Sequence, residues 1–392
     1  MTTSVAPSVC IVGAGSMGVV TGYHLGLSGA SVTFLVRPHR QEQLSRPQRL
    51  YSYDDHSLNT YSDYELLTDP SDLAGTAFDF VVITLDGAAL RAEAGQRLVD
   101  EIGRAFRGTS TAVILGSVGI DLRSWFLERS GLADTQVIHG GLGSLAHEVG
   151  PARMPVHPGT QPDLLATADY AYRHPTPSGF LVDFSTPQVA HDFAALYNRN
   201  GVSQCSVIGV DAHRTPVALF AVLAAWELLK WPAAADIDPA DDTWQLGIEA
   251  LREFQSLSLY GPAGRAAAEQ TNADGVLQFF RQMEKDALPL DLAAFNAYHH
   301  GGKVNGQDHA ILREALDRGA AEGADMPALR SLIARLRPST EATPKRHSLW
   351  PATGLPDLVR QMTNGQDHLS VGCPAPADLS ACLEAADRLA KC

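Results

Sequence analysis

Apolar residues fall into short, nearly unbroken runs through the first half of the chain and into wider-spaced stripes through the second. Residues 8–12 (SVCIV), 31–36 (SVTFLV), 80–85 (FVVITL) and 111–115 (TAVIL) show little polar alternation. Such runs predict strands buried on both faces, as in a parallel sheet covered by helices. Helical spacing separates them at 19–27 and 88–106. A run at 137–139 leads into Gly140-Gly141-Leu142-Gly143, residues 180–184 return to the sheet, and a helix at 187–198 and a strand near 206–208 follow. The proline-rich stretch 150–179 has little periodicity and reads as an irregular excursion, a lid or a β-extension. From about residue 211 only helices are expected, at 215–230, 244–260, 275–286, 291–299, 307–323 and 326–336. This order predicts an α/β fold: a doubly wound parallel sheet over 1–209, an all-helical domain over 210–337 and a C-terminal extension over 338–392. The pentapeptide NGQDH occurs at 305–309 and again at 364–368, but its flanks do not match, so it reads as coincidence.

Composition narrows the class. With 45% apolar and 19% charged residues the chain is a folded one. A formal charge of −14 argues against nucleic acid or an anionic membrane as a partner. The longest apolar run, 216–226, is well short of the ~20 residues that cross a bilayer. The first residues, MTTSVAPS, lack the basic charge of a signal peptide. The five cysteines are scattered without a CxxC, which fits a reducing compartment and a cytoplasmic location, and no metal site is indicated.

The chemistry begins at Gly13-Ala14-Gly15-Ser16-Met17-Gly18, which follows the first strand at once and opens a helix that leads to a second strand. That is the full context of a dinucleotide fingerprint, and it makes the N-terminal domain a Rossmann domain. Gly13 permits the tight turn, Gly15 lets a pyrophosphate approach the backbone, and Gly18 lets the helix pack on the strand. Met17 reads as packing beside the cofactor. The second strand ends in Arg37, with Arg40 close behind, where an NAD-binding chain carries a carboxylate. A guanidinium grips a 2′-phosphate that a carboxylate would repel, so NADP(H) is the expected cofactor. Ligands lie at the carboxyl ends of parallel strands. Residues 84–87 (with Thr84 and Leu85), 116–119 (with Gly116 and Ser117) and 139–147 are therefore expected to line the cofactor cleft.

These segments resemble the ketopantoate reductase (2-dehydropantoate 2-reductase) family. The carrying residues are 11–18 (IVGAGSMG), 35–38 (LVRP), 83–85 (ITL) and 115–119 (LGSVG), together with the helical stretch ending at 319–327. The resemblance covers roughly 8–336. It implies an active site between a Rossmann and a helical domain, and hydride transfer from NADPH to a carbonyl or imine carbon. The chain departs from the family in the substrate half. Asp86 stands where the family has Lys, and Gly116-Ser117 where it has Asn-Gly. The first helix of the second domain, which carries the family's catalytic lysine, has none over 211–226. The family's substrate-binding Glu falls at Gln307 or Asp308.

Three groups are candidates to supply the proton that carbonyl reduction needs. One is His213 with Arg214. A second is the dense run His299-His300-Gly301-Gly302-Lys303 with Asp308 and His309, in which Lys303 replaces the missing lysine as acid and Asp308 orients the substrate or tunes a histidine. The third is His147-Glu148. Asp308 also suits a helix start, and His299 to Gly302 a helix end. Phe220, Trp226 and Trp231 read as helical core. The expected substrate is a small oxo acid, ketone or imine, and a homodimer is one expected assembly among those the sequence leaves open. A true 2-dehydropantoate 2-reductase with relocated catalytic groups and a non-catalytic nucleotide sensor are the alternatives.

Overall fold

The computed structural model describes residues 6–336 of the chain. The expected extension 338–392, with the second NGQDH, lies outside the described residues. Twelve strands are present: β1 (Ser8–Val12), β2 (Ser31–Leu35), β3 (Gln48–Ser52), β4 (Leu58–Tyr61), β5 (Glu65–Leu67), β6 (Phe80–Ile83), β7 (Ala112–Leu115), β8 (Val137–Leu142), β9 (Leu145–Glu148), β10 (Tyr170–Arg173), β11 (Ser178–Asp183) and β12 (Gln204–Ile208). Eight of them form one sheet in the order β12-β11-β8-β7-β6-β1-β2-β5. All its pairings are parallel except β11 with β8.

The apolar runs build this sheet because both of its faces are covered. Along β1, Val9 and Ile11 enter one core with Val82 and Ile114, while Cys10 and Val12 enter the other with Val81 and Val113. That is the period-2 alternation of a strand buried on both sides. At the end of β1 the chain turns through Gly13 at φ +102°, and a Cβ on Gly18 would meet the Gly13 carbonyl oxygen at 2.3 Å. The fingerprint glycines thus let the helix Ser16–Leu27 press against the loop that precedes it.

The remaining four strands form a second sheet, β4-β3-β10-β9, so of the two readings of 150–179 the β-extension is the one found, with partners at 48–61 that the pattern did not mark as strands. It corrects the reading of 150–179 as irregular: that stretch contains the short helix Pro162–Leu165 and strand β10. These strands are short and mix polar with apolar residues, and the pairing of β3 with β10 spans more than a hundred positions, as in Tyr170 with Leu50. Strand β8 also runs on through Gly140 and Gly141 beyond the expected end at 139.

Beyond residue 209 the described chain is helical, around a core that includes Trp226, Trp244, Phe254, Leu277 and Leu312. Two expected helices are broken. The stretch 88–106 divides at Ala92, whose backbone is extended, into Gly87–Arg91 and Glu93–Phe106. The stretch 215–230 becomes a 3-10 turn at Thr215–Leu219, where Pro216 cannot donate its share of the helix ladder, followed by Phe220–Leu228. The helix Gly261–Gln270 was not anticipated, its alanines giving no clear apolar stripe.

The helix Asn305–Glu322 joins the helical part to the sheet. Glu314 pairs with Arg91 and accepts the Ile120 N–H at 3.2 Å, and Gln307 Oε1 accepts the Gly87 N–H at 2.9 Å. Among the described residues no helix is long and apolar enough to cross a membrane.

Candidate active site

The carboxyl ends of β1, β2, β6 and β7 open into a cavity of about 580 Å³ whose far wall is helical. The sheet side contributes Gly13, Gly15, Ser16, Met17, Gly18, Arg37, Arg40, Thr84, Leu85, Gly116 and Ser117, whereas Gly87 and Gly119, expected in the same loops, do not line this space. The helical side contributes Phe220, Phe295, His299, His300, Lys303 and Gln307.

The floor is preorganised for an anion. The helix Ser16–Leu27 starts at Gly15 with no side-chain cap, leaving its first N–H groups and the positive end of its dipole toward the cavity. Thr84 Oγ1 donates to the carbonyls of Val12 and Gly13 at 3.1 and 3.0 Å, and Ser117 Oγ donates to the Leu85 carbonyl at 2.6 Å. Both hydroxyls therefore brace the strand ends. Asp86 accepts the Ala89 N–H at 2.6 Å and caps the helix Gly87–Arg91.

Two arginines flank this floor. Arg37 is exposed and has no partner among the described residues. Arg40 is held in place: it donates to the Ala14 carbonyl and the Tyr170 hydroxyl, each at 3.0 Å, and lies 3.8 Å from Glu148.

Lys303 reaches across from the helical side. Its Nζ donates to Ser16 Oγ at 3.0 Å and would stand 3.8 Å from a Cβ on Gly15. Burial pulls its pKa down, and the neighbouring Glu148 offsets part of that effect. The ammonium thus sits at the positive end of a helix, a place that favours an intervening anion.

Lys303 belongs to a π-helical turn, His299–Lys303, the kind of irregularity that re-aims side chains at functional sites. The turn closes tightly on the indole of Trp231, since a Cβ on Gly301 would meet Trp231 Nε1 at 2.6 Å. The turn also aims His300 into the cavity. His300 Nδ1 is 2.7 Å from Asp308 Oδ2. Asp308 itself is buried behind His300 and does not line the cavity; burial raises its pKa, and His300 pulls it back. His299 is half-buried and stacked on Phe295, and desolvation holds its pKa well below the ordinary histidine value. His309 does not reach the cavity, and its Nε2 lies 2.9 Å from Glu227 Oε2.

His213 stands outside the cavity lining. Its Nε2 donates to the Gly140 carbonyl at 3.2 Å, its ring stacks on His139 at 4.9 Å, and burial pushes its pKa down to about 4. The expectation that the whole of 139–147 lines the cleft is corrected: Leu142, Ser144 and Leu145 do, with Glu148 just beyond. His139 instead lies 2.6 Å from the buried carboxylate of Asp183. His147, beside Glu148 on β9, points away toward Tyr53, as neighbours on a strand must. Phe220, read as core, lines the cavity. Of the two readings given for Asp308, orienting the substrate or tuning a histidine, the geometry matches the second, with His300 as the histidine; which histidine it meets depends on the π turn that carries His300. Among the described residues no group of three or more His, Cys, Asp or Glu could hold a metal ion.

Residues 9–96 match the family model described as ketopantoate reductase PanE/ApbA. No curated protein matches the chain. Among solved structures, 2-dehydropantoate 2-reductase from Geobacter metallireducens GS-15 superposes with a TM-score of 0.56 at 19% identity, covering 83% of this chain and 98% of that one. A PanE/ApbA family ketopantoate reductase from Ralstonia eutropha JMP134 gives 0.56 at 17% identity, over 83% and 96%. D-mandelate dehydrogenase, solved with NADH and anilino(oxo)acetate, gives 0.54 at 12% identity, over 83% and 96%. Residues 9–96 therefore match the ketopantoate reductase family model, and the described chain has the fold of solved ketopantoate reductases.

Proposed function

We propose that the protein is an NADPH-dependent reductase that transfers hydride to the carbonyl or imine carbon of a small oxo-acid-like substrate in the cleft between sheet and helices. The observation that carries this reading is the meeting of Lys303 with the uncapped fingerprint helix at Ser16. A site with free amides on one wall and an ammonium on the other fits a diphosphate. The amides of residues 15–18 and Lys303 would hold the diphosphate, and Arg37, free to reorient, would take the 2′-phosphate. When bound, the dihydronicotinamide supplies a hydride.

This division of labour places Lys303 on the cofactor, whereas the sequence alone suggested a proton donor. It also explains how the chain manages with Asp86 where the family has Lys: a cation enters from the opposite wall. The substrate end of the cleft is bounded by Phe220, Phe295, Leu142 and Leu145, which suits a substrate with an apolar side group.

The test is NADPH oxidation followed optically with pyruvate, 2-oxoisovalerate, phenylpyruvate, phenylglyoxylate, 2-dehydropantoate and a cyclic imine. Saturable turnover of at least one supports the reading. Tight NADPH binding without turnover of any would favour the nucleotide sensor instead.

A further inference from the structure

We infer that His300, oriented by Asp308, donates the proton to the carbonyl oxygen reduced at this site, an inference that rests on the reductase reading above. Three observations carry it. His300 lines the cavity that the fingerprint glycines line. Its Nδ1 is 2.7 Å from Asp308 Oδ2, so the carboxylate accepts the Nδ1 hydrogen and fixes the tautomer. Its Nε2 has no hydrogen-bond partner among the described residues and is not among the buried unsatisfied atoms. It is therefore the nitrogen left to the cavity.

The surroundings favour this use. The ring is fixed edge-on to Phe220 at 6.1 Å and stacked near Trp231 at 6.4 Å. Asn305 Nδ2 donates to the His300 carbonyl at 3.0 Å and steadies the turn. The charged and titratable groups packed about it are His299 and Lys303 on the same turn and Asp308 and His309 on the next helix. Desolvation holds the pKa of His299 well below its ordinary value, Lys303 is drawn to Ser16, and His309 faces Glu227. Asp308 alone makes a hydrogen bond to the imidazole, and it holds the Nδ1 hydrogen so that Nε2 is the atom that can exchange a proton in the cavity.

The step balances. Bound here, NADPH would supply a hydride with its electron pair to the carbonyl carbon and would itself become NADP+, while the C=O π pair would move onto oxygen. That oxygen takes the proton from His300 Nε2. The cofactor leaves oxidised and the substrate leaves as an alcohol. The neutral imidazole keeps its Nδ1 hydrogen on Asp308 until solvent returns a proton to Nε2. Asp308 touches no reacting atom and acts as a positioning residue.

The test uses the full chain with NADPH, with oxamate as a carbonyl mimic that is not reduced, and with the 2-oxo acids named above. Calorimetry in buffers of different ionisation enthalpy is expected to show proton uptake when oxamate binds the NADPH complex. His300→Gln is expected to abolish that uptake and to lower kcat about 100-fold or more, with the NADPH Kd changed by no more than about twofold. Asp308→Asn is expected to lower kcat and move the alkaline limb of the pH profile to lower pH, which a merely structural role would not do. If His300→Gln fails to fold, proton uptake by the unsubstituted protein decides. Oxamate binding without proton uptake, or His300→Gln turning over within about threefold of the parent, overturns the proposal. NADPH binding with neither oxamate binding nor turnover overturns it while leaving the cofactor site standing. Failure to bind NADPH removes both.

Discussion

At the scale of the residue, Lys303 and His300 divide, in the proposed function, the work that the sequence alone assigned to one lysine. The two lie on one turn yet meet different partners, Ser16 and Asp308. Lys303→Met should therefore weaken NADPH binding by about 10- to 100-fold, the worth of a charge-assisted contact, and leave kcat at saturating cofactor within severalfold. Fluorescence titration and steady-state kinetics together check this. A large loss of kcat with an unchanged NADPH Kd would make Lys303 the acid and remove that role from His300. The residues that line the sheet side of the cavity were legible in the sequence because small residues recur there at fixed spacing after a strand, and spacing is visible in one dimension. His300 and Asp308 form a couple only through a π turn, and no periodicity announces one. The pairing of His139 with Asp183 was hidden for a related reason, since it joins neighbouring strands that run in opposite directions.

At the scale of the element, Asp86 shows why a family position can change without loss of the fold. It caps the helix Gly87–Arg91, whose N-terminal Gly87 amide is taken by Gln307 from the opposite wall. Asp86→Ala should cost about 1 kcal/mol in urea denaturation, as loss of a cap does, whereas Asp86→Asn should stay close to the parent. Asp86→Lys, which restores the family's residue, should be less stable than Asp86→Ala because it adds a positive charge at a helix N-terminus. Equal midpoints for all four proteins would dismiss the cap. The main sheet was legible because burial on both faces writes continuous apolar runs. Of the second sheet only the β-extension within 150–179 was anticipated, as one of two readings: β3, β4 and β10 are half-polar segments of four or five residues whose pairing is set by tertiary contact. Proline and glycine marked 150–179 as loop, and β10 forms there because β3 and β9 offer it partners on both sides.

At the scale of the molecule, folding holds several histidines neutral. Burial lowers the pKa of His24 to about 3 and those of His147 and His213 to about 4. The unfolded chain titrates near 6.5, so below that pH it binds more protons than the folded one. The stability these residues contribute is complete only well above pH 6.5 and is lost as pH falls toward 4. Each histidine should cost on the order of 1 kcal/mol over the first pH unit below 6.5. Asp183, held near 2 by His139 and Ser185, acts lower on the scale: its contribution is present above about 3.8 and fades as pH falls to 2. Urea denaturation at pH 7.5, 6.5 and 5.5 should show stability falling a little over the first interval and about three times as much over the second, and a flat profile would refute neutral burial of these rings.

The central claim is that sheet and helices together hold a phosphorylated nicotinamide dinucleotide. Its most direct test is an equilibrium titration of the full chain with NADPH and with NADH, repeated on Arg37→Asp. The account predicts saturable binding of NADPH in preference to NADH, and loss or reversal of that preference in Arg37→Asp. Binding of neither coenzyme, or an equal weakening of both in the variant, would contradict it.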